Sequence, residues 1–156
     1  MGRDDGATAS TLSAWSSPVV DVRMLGPSDL RLLAGAPVDL AGGVADPTLA
    51  LAILADPRRY VVAGMAGGRI VGIGSAARAE RGRTLVIHGV VVAHPHRRRG
   101  LGARLLATLL EHARASGCRD ACIEVEREDA ALRALCARAG GNERPDPIVR
   151  VAFALR

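Results

Sequence analysis

The sequence contains no lysine: its 21 basic residues are all arginine, set against 16 acidic ones for a formal net charge of +5. Alanine, glycine and proline are also abundant, so the bias reads as the mark of a GC-rich genome, and the charge suits an anionic ligand without requiring one. Aromatic residues are nearly missing, with one Trp, one Tyr and one Phe. The core must therefore be built from Leu, Val, Ile and Ala, and the stacking platforms of single-strand nucleic-acid readers are lacking. Cys118, Cys122 and Cys136 are odd in number and stand at no zinc-like spacing from histidine, which points to buried thiols in a reducing compartment and to no metal. The opening MGRDDGATASTLSAWSSP has no apolar segment of leader length, and no later run is long enough to span a bilayer. A cytoplasmic protein with neither a membrane nor a nucleic-acid partner is expected.

What is present centres on Leu85 to Ser116, LVIHGVVVAHPHRRRGLGARLLATLLEHARAS. An apolar run to Ala93 predicts a central strand buried on both faces. A basic, glycine-containing turn from His94 to Gly102 follows, and an amphipathic helix starts near Gly100, with Leu101, Leu105, Leu109 and Ala113 on one face. Strand, turn and helix in that order build an anion cradle: the first helical amides lack acceptors, the helix dipole adds positive charge there, and Gly100 and Gly102 allow close approach. Arg97, Arg98, Arg99 and Arg104 surround it with full charges. A dinucleotide fold is a rival, but its glycine turn follows the first strand, whereas this one comes after three expected strands.

The rest of the chain supplies the support. Residues Met1 to Pro18, with Trp15, show no periodicity and predict a mobile tail ahead of one domain spanning 19–156. Val19 to Leu25 alternates as a half-buried strand, Asp29 to Ala34 is a short helix, Gly35 to Pro47 a loop, and Thr48 to Ala55 a second helix. Arg59 to Ala66 and Arg69 to Ala77 form a hairpin about Gly67 and Gly68, and Gly72 and Gly74 mark a bulge or the close approach of another element. Gly117 caps the long helix. A strand from Asp120 to Glu126, a helix from Glu128 to Ala139 closed by Gly140 and Gly141, and a strand from Ile148 to Leu155 complete the order.

Arg97, Arg98, Arg99, Gly100, Leu101 and Gly102 match the (Gln/Arg)-x-x-Gly-x-(Gly/Ala) signature of the GCN5-related N-acetyltransferases, the GNAT family. The flanking strand and helix, then GCRDACIEVE and EDAALRALCARAGG, extend the resemblance from about Val19 to the C-terminus, most nearly to small bacterial members related to the aminoglycoside 3-N-acetyltransferases. The resemblance implies an α/β (α+β) fold: a mixed, mostly antiparallel sheet with helices on both faces and a splayed central strand pair. It implies acetyl-CoA as cosubstrate, held by residues Arg97 to Arg104, Ala103 included, with Val90, Val91 and Val92 lending backbone groups and Val91 or Val92 polarising the thioester carbonyl.

The same resemblance marks departures. Gly89 stands where relatives carry an acidic residue on the central strand, Asp129 where an asparagine contacts the cofactor, and Cys136 where a tyrosine is the proposed acid for the CoA thiolate. Glu126, on the polar face of the next strand, is the preferred candidate base, and His88 is the titratable group nearest the missing acid. Cys136 is a candidate acid, with simple packing as the alternative. Two functions follow: an acetyl-CoA-dependent N-acetyltransferase acting on the primary amine of a small molecule, or an acetyl-CoA-binding module that has lost efficient catalysis. Few acidic residues beyond Asp39 and Asp46 stand in the expected acceptor loops, which argues against an aminoglycoside. Pairing as a homodimer is open.

Overall fold

The computed structural model describes residues 20–37, 46–79, 81–144 and 149–156. The expected tail, Trp15 and Asp39 lie outside the described residues. The strands are β1 (Asp21–Met24), β2 (Arg59–Ala66), β3 (Arg69–Arg78), β4 (Thr84–Val92), β5 (Asp120–Val125), β6 (Asn142–Arg144) and β7 (Val149–Ala154). The helices are α1 (Leu30–Ala34), α2 (Pro47–Ala55), α3 (Leu101–Ala115) and α4 (Ala130–Arg138). The strands form one sheet in the order β1-β2-β3-β4-β5-β7-β6. Every neighbouring pair is antiparallel except β4 and β5, which run parallel across the α3 crossover.

Local chemistry accounts for the boundaries. Gly67 and Gly68 both take positive φ, 56° and 75°, as a two-residue hairpin turn requires. Asp46 caps α2 by accepting the Thr48 amide at 3.0 Å, with Pro47 in the first turn. The α3 helix ends where Gly117 turns left-handed (φ 86°) and the amides of Cys118 and Gly117 return to the carbonyls of Ala113 and Arg114. The α4 helix ends the same way at Gly140, with Gly141 bonding back to Cys136.

Helices cover both faces, unevenly. On one face Tyr60, Val62, Leu85, Ile87, Ile123, Val151 and Phe153 pack with the leucine stripe of α3 and with Cys136 of α4. On the other, Val61, Ala63, Ile70 and Ile73 pack under Leu33 of α1 and Ala50 and Leu54 of α2. The α3 helix sits close because the sheet beneath it has glycines. A Cβ on Gly64, Gly72 or Gly74 would lie 2.8, 3.0 or 2.8 Å from its nearest neighbour, and Leu101, Leu105 and Leu109 fill the space above them. Close approach is therefore the role of Gly72 and Gly74, and a bulge stands beside them as well, where Val71 is the extra residue between Gly72 and Ile70.

Two expectations need correction. The central strand is not buried on both faces: in β4 only Leu85 and Ile87 are buried, because α1 and α2 cover β2 and β3 and leave the far half of β4 open. The sequence also gave no sign of β6, three exposed residues pairing at the sheet edge with β7. Its start needs a glycine: a Cβ on Gly141 would come within 2.4 Å of Val151 Cγ1.

Candidate active site

The site begins where β4 and β5 part. They pair only from Thr84 and Asp120 to Ile87 and Ile123, after which β4 continues to Val92 and β5 to Val125 without pairing to each other. His88 is the first residue past the last pair. It is also the extra residue of a β-bulge, since β3 pairs Ala76 with Ile87 but Ser75 with Gly89. The bulge shifts the strand's alternation. Leu85 and Ile87 belong to the α3 core before it, and Val90 and Val92 pack against that same core after it. Gly89 and Val91 are left on the opposite face, where Val91 is 39% exposed.

The bulge also decides which backbone groups reach the opening. The Ala93 amide donates to the Val71 carbonyl at 2.8 Å, and antiparallel pairing alternates, so Val91 is turned towards β3 while Val90 and Val92 turn their N–H and C=O to the unpaired edge. The Val92 carbonyl confirms the direction by accepting Arg97 Nε at 2.8 Å. Of the two amides implied for the thioester carbonyl, the one at the opening is that of Val92.

The basic turn follows directly. A 3₁₀ turn, His94–His96, leads to an extended Arg97, Arg98 takes φ 60° and Gly100 φ 81°. Gly100 is the N-cap of α3 and supplies no side chain to it. The first bond into the helix runs from the Arg104 amide to the Gly100 carbonyl, so the amides of Leu101, Gly102 and Ala103 have no helical acceptor. Alternating left-handed residues ahead of an uncapped N-terminus form a nest that fits a pyrophosphate. A Cβ on Gly102 would lie 3.4 Å from Leu135 Cδ2 and 3.9 Å from Val92 Cγ2, so the nest is wedged between β4 and α4. Arg104 faces partly elsewhere: its Nη1 donates to the Val20 carbonyl at 2.7 Å and ties β1 to the first turn of α3.

The remaining candidates separate clearly. Asp129 is the N-cap of α4, its Oδ1 accepting the Leu132 amide at 3.0 Å. Cys136 is fully buried in the core, and burial, helped by Asp129 and Glu143, pushes its thiol up to about 11. Glu126 follows the last residue of β5 and is exposed at the mouth of the opening. His88 lies exposed on β4, yet partial desolvation of its ring, and then the charge of Arg59, hold the imidazole below its ordinary value of 6.5. Sequence reading did not single out Arg58, in the turn before β2, and Arg59, the first residue of β2, which share one carboxylate, that of Asp56. No motif marks them. Among the described residues no group of three or more His, Cys, Asp or Glu is arranged to hold a metal, and no helix is long and apolar enough to cross a membrane.

Residues 37–140 match the model of the acetyltransferase (GNAT) family. The chain belongs to that family and is an N-acetyltransferase by class. No curated protein matches it. Among solved structures, PaiA N-acetyltransferase of Thermoplasma acidophilum in complex with coenzyme A is similar at 11% identity and a TM-score of 0.71, over 87% of this chain and 99% of that one. The ribosomal-protein-S18-alanine N-acetyltransferase of Escherichia coli has 17% identity and a TM-score of 0.69, over 88% and 94%. The aminoglycoside N-acetyltransferase AAC(6')-Iy in complex with CoA has 20% identity and a TM-score of 0.69, over 83% and 92%. Enzymes of differing acceptors stand side by side here, so a special kinship with the 3-N-acetyltransferases has no support.

Proposed function

We propose that the protein transfers the acetyl group of acetyl-CoA to a primary amine of a small molecule by direct attack, with His88 as the base. The observation that carries this reading is the coincidence at one place of three features: the parting of β4 and β5, the bulge residue His88 at its apex, and the uncapped nest at its mouth. When bound, acetyl-CoA supplies a thioester, an acyl donor activated towards amines. The nest amides of Leu101, Gly102 and Ala103 hold the pyrophosphate, with Arg97, Arg98 and Arg99 adding charge. The unpaired edge at Val90 and Val92 holds the pantetheine arm, and the Val92 N–H stabilises the charge that develops on the carbonyl oxygen.

His88 takes the proton that the amine loses as its nitrogen bonds to the acetyl carbon and the carbon–sulfur bond breaks. Its lowered pKa keeps the ring neutral at pH 7, the form that accepts a proton. The departing thiolate takes its proton from solvent, because Cys136 is fully buried and holds its own proton tightly. Glu126 lies farther out, three residues past the last β4–β5 pair, and serves the mouth of the site.

Calorimetric titration with acetyl-CoA, followed by thiol release across a panel of amines, tests the reading. Binding with turnover is expected, and His88→Ala is expected to lower kcat by about a hundredfold at unchanged acetyl-CoA affinity, against a few-fold for Glu126→Gln. The reverse ranking would move the base to Glu126. Binding without turnover on any amine would mark a cofactor-binding module, and failure to bind would remove the nest assignment.

A further inference from the structure

We infer that the acceptor amine carries an anionic group, a carboxylate in the simplest case, held by Arg58 and Arg59 beside His88. The inference rests on the acetyl-transfer reading above and adds to it the chemical class of the acceptor.

The strand register puts Arg59 in one row with Ala77 of β3 and Val86 of β4, just before the His88 bulge. Arg59 alternates with Val61 and Ala63, so it stands on the face covered by α1 and α2, the face to which Gly89 and Val91 also turn. Its charge is felt at His88. Arg58 Nε and Arg59 Nε both lie 3.7 Å from the Asp56 carboxylate, too far for a hydrogen bond, and are 61% and 47% exposed. The Asp56 carboxylate is committed first to the Arg58 backbone amide, at 2.9 Å. Among the described residues neither guanidinium donates a hydrogen bond. Two forks of donors thus share one distant carboxylate.

The nearby acid is already matched. Glu124, on β5 one residue past the last β4 pair, accepts Arg150 Nη2 at 3.0 Å. Glu126 lies at the other end of the opening. Beside the bulge two guanidiniums thus share the one Asp56 carboxylate and leave a net positive charge, which disfavours a polyamine or aminoglycoside and favours an amine with its own negative charge. A carboxylate on the guanidinium forks would also fix the amine relative to His88.

Thiol release is measured at about pH 8, where His88 is neutral with or without Arg59, for the common amino acids, their amides and spermidine. Acids are expected to exceed their amides in kcat/KM by about three- to tenfold, less at high salt. Arg59→Ala should erase the ratio and Arg59→Lys should restore part of it. In a second arm, with CoA present, N-acetyl amino acids and their amides are titrated while the His88 ring signals are followed by NMR. Shifts with the acids alone are expected, whether or not turnover is found. Equal use of acids and amides, a preference for spermidine, or ring signals that no acid moves selectively would overturn the inference. Acetyl-CoA binding in the same samples separates that result from failure of the acetyl-transfer reading.

Discussion

Gly74 and Gly89 lie on adjacent strands, β3 and β4, and the packing argument gives opposite signs for adding the same methyl group to each. At Gly74 the new Cβ would sit 2.8 Å from Val62 Cγ1 and 3.0 Å from Leu109 Cδ1. Val62 is directly opposite on β2 and, like Leu109, fully buried, so neither has room to withdraw. Overpacking of this kind costs about 1–3 kcal/mol. At Gly89 a Cβ meets nothing within 4 Å. Both substitutions restrict the unfolded chain equally, a gain of about 0.4–1 kcal/mol, and that gain cancels in the comparison. Gly74→Ala should therefore be less stable than Gly89→Ala by about 2 kcal/mol, or about 6 °C in Tm for a chain of this size. Urea titration of both variants reads the difference as a shift in midpoint at constant slope. If Gly74→Ala proved as stable as Gly89→Ala, the glycines would not be what lets α3 approach the sheet.

Arg98 holds a left-handed φ of 60° that glycine adopts without strain, so Arg98→Gly should gain about 1 kcal/mol in urea while losing acetyl-CoA affinity by calorimetry; a loss of both would contradict the nest. As the proposed base, His88 works in its neutral form and its pKa is lowered, so the acid limb of the rate profile should fall below pH 6.5. Arg59→Ala removes the charge that helps to lower it and should move that limb to higher pH; an unmoved limb would detach His88 from the rate. Asp29 accepts Arg23 Nη2 at 2.8 Å and the Gly26 amide at 2.9 Å, which hold its pKa below 3.8. Its contribution is complete above about pH 4 and lost as pH falls through the lowered value, so wild type should lose stability below pH 4 more steeply than Asp29→Asn in acid titrations. Gly89→Glu places a carboxylate in open space beside the bulge and should restore about tenfold of the rate lost in His88→Ala; no recovery would mean that the position does not face the reacting amine.

The parts of the fold legible in the sequence are those whose cause is local. Gly67 and Gly68 demand a turn, Gly117 and Gly140 end helices, the leucines of α3 repeat at helical spacing, and RRRGLG follows a strand and opens a helix. The α/β arrangement and the nest followed from these, whereas the role of Asp129 as a cap shows only in the structure. Strand β6 was not legible, because three exposed residues pair only through backbone and leave no pattern.

The site proper depends on register, which one strand's residues do not carry. Whether His88 is an ordinary strand residue or a bulge is decided by β3, where Ser75 and Ala76 face Gly89 and Ile87 and leave His88 over. Read as a regular strand, β4 would place Val91 with Leu85 and Ile87 against α3. The extra residue puts Val90 and Val92 there instead, turns the Val92 backbone to the opening, and leaves Val91 exposed on the opposite face. One inserted residue thus sets which amide faces the opening and which titratable group stands at the apex. The Arg58 and Arg59 pair becomes visible only through the same register, because 29 positions separate Arg59 from His88 in sequence while two strand pairings bring Arg59 to the row of Val86, just before the His88 bulge.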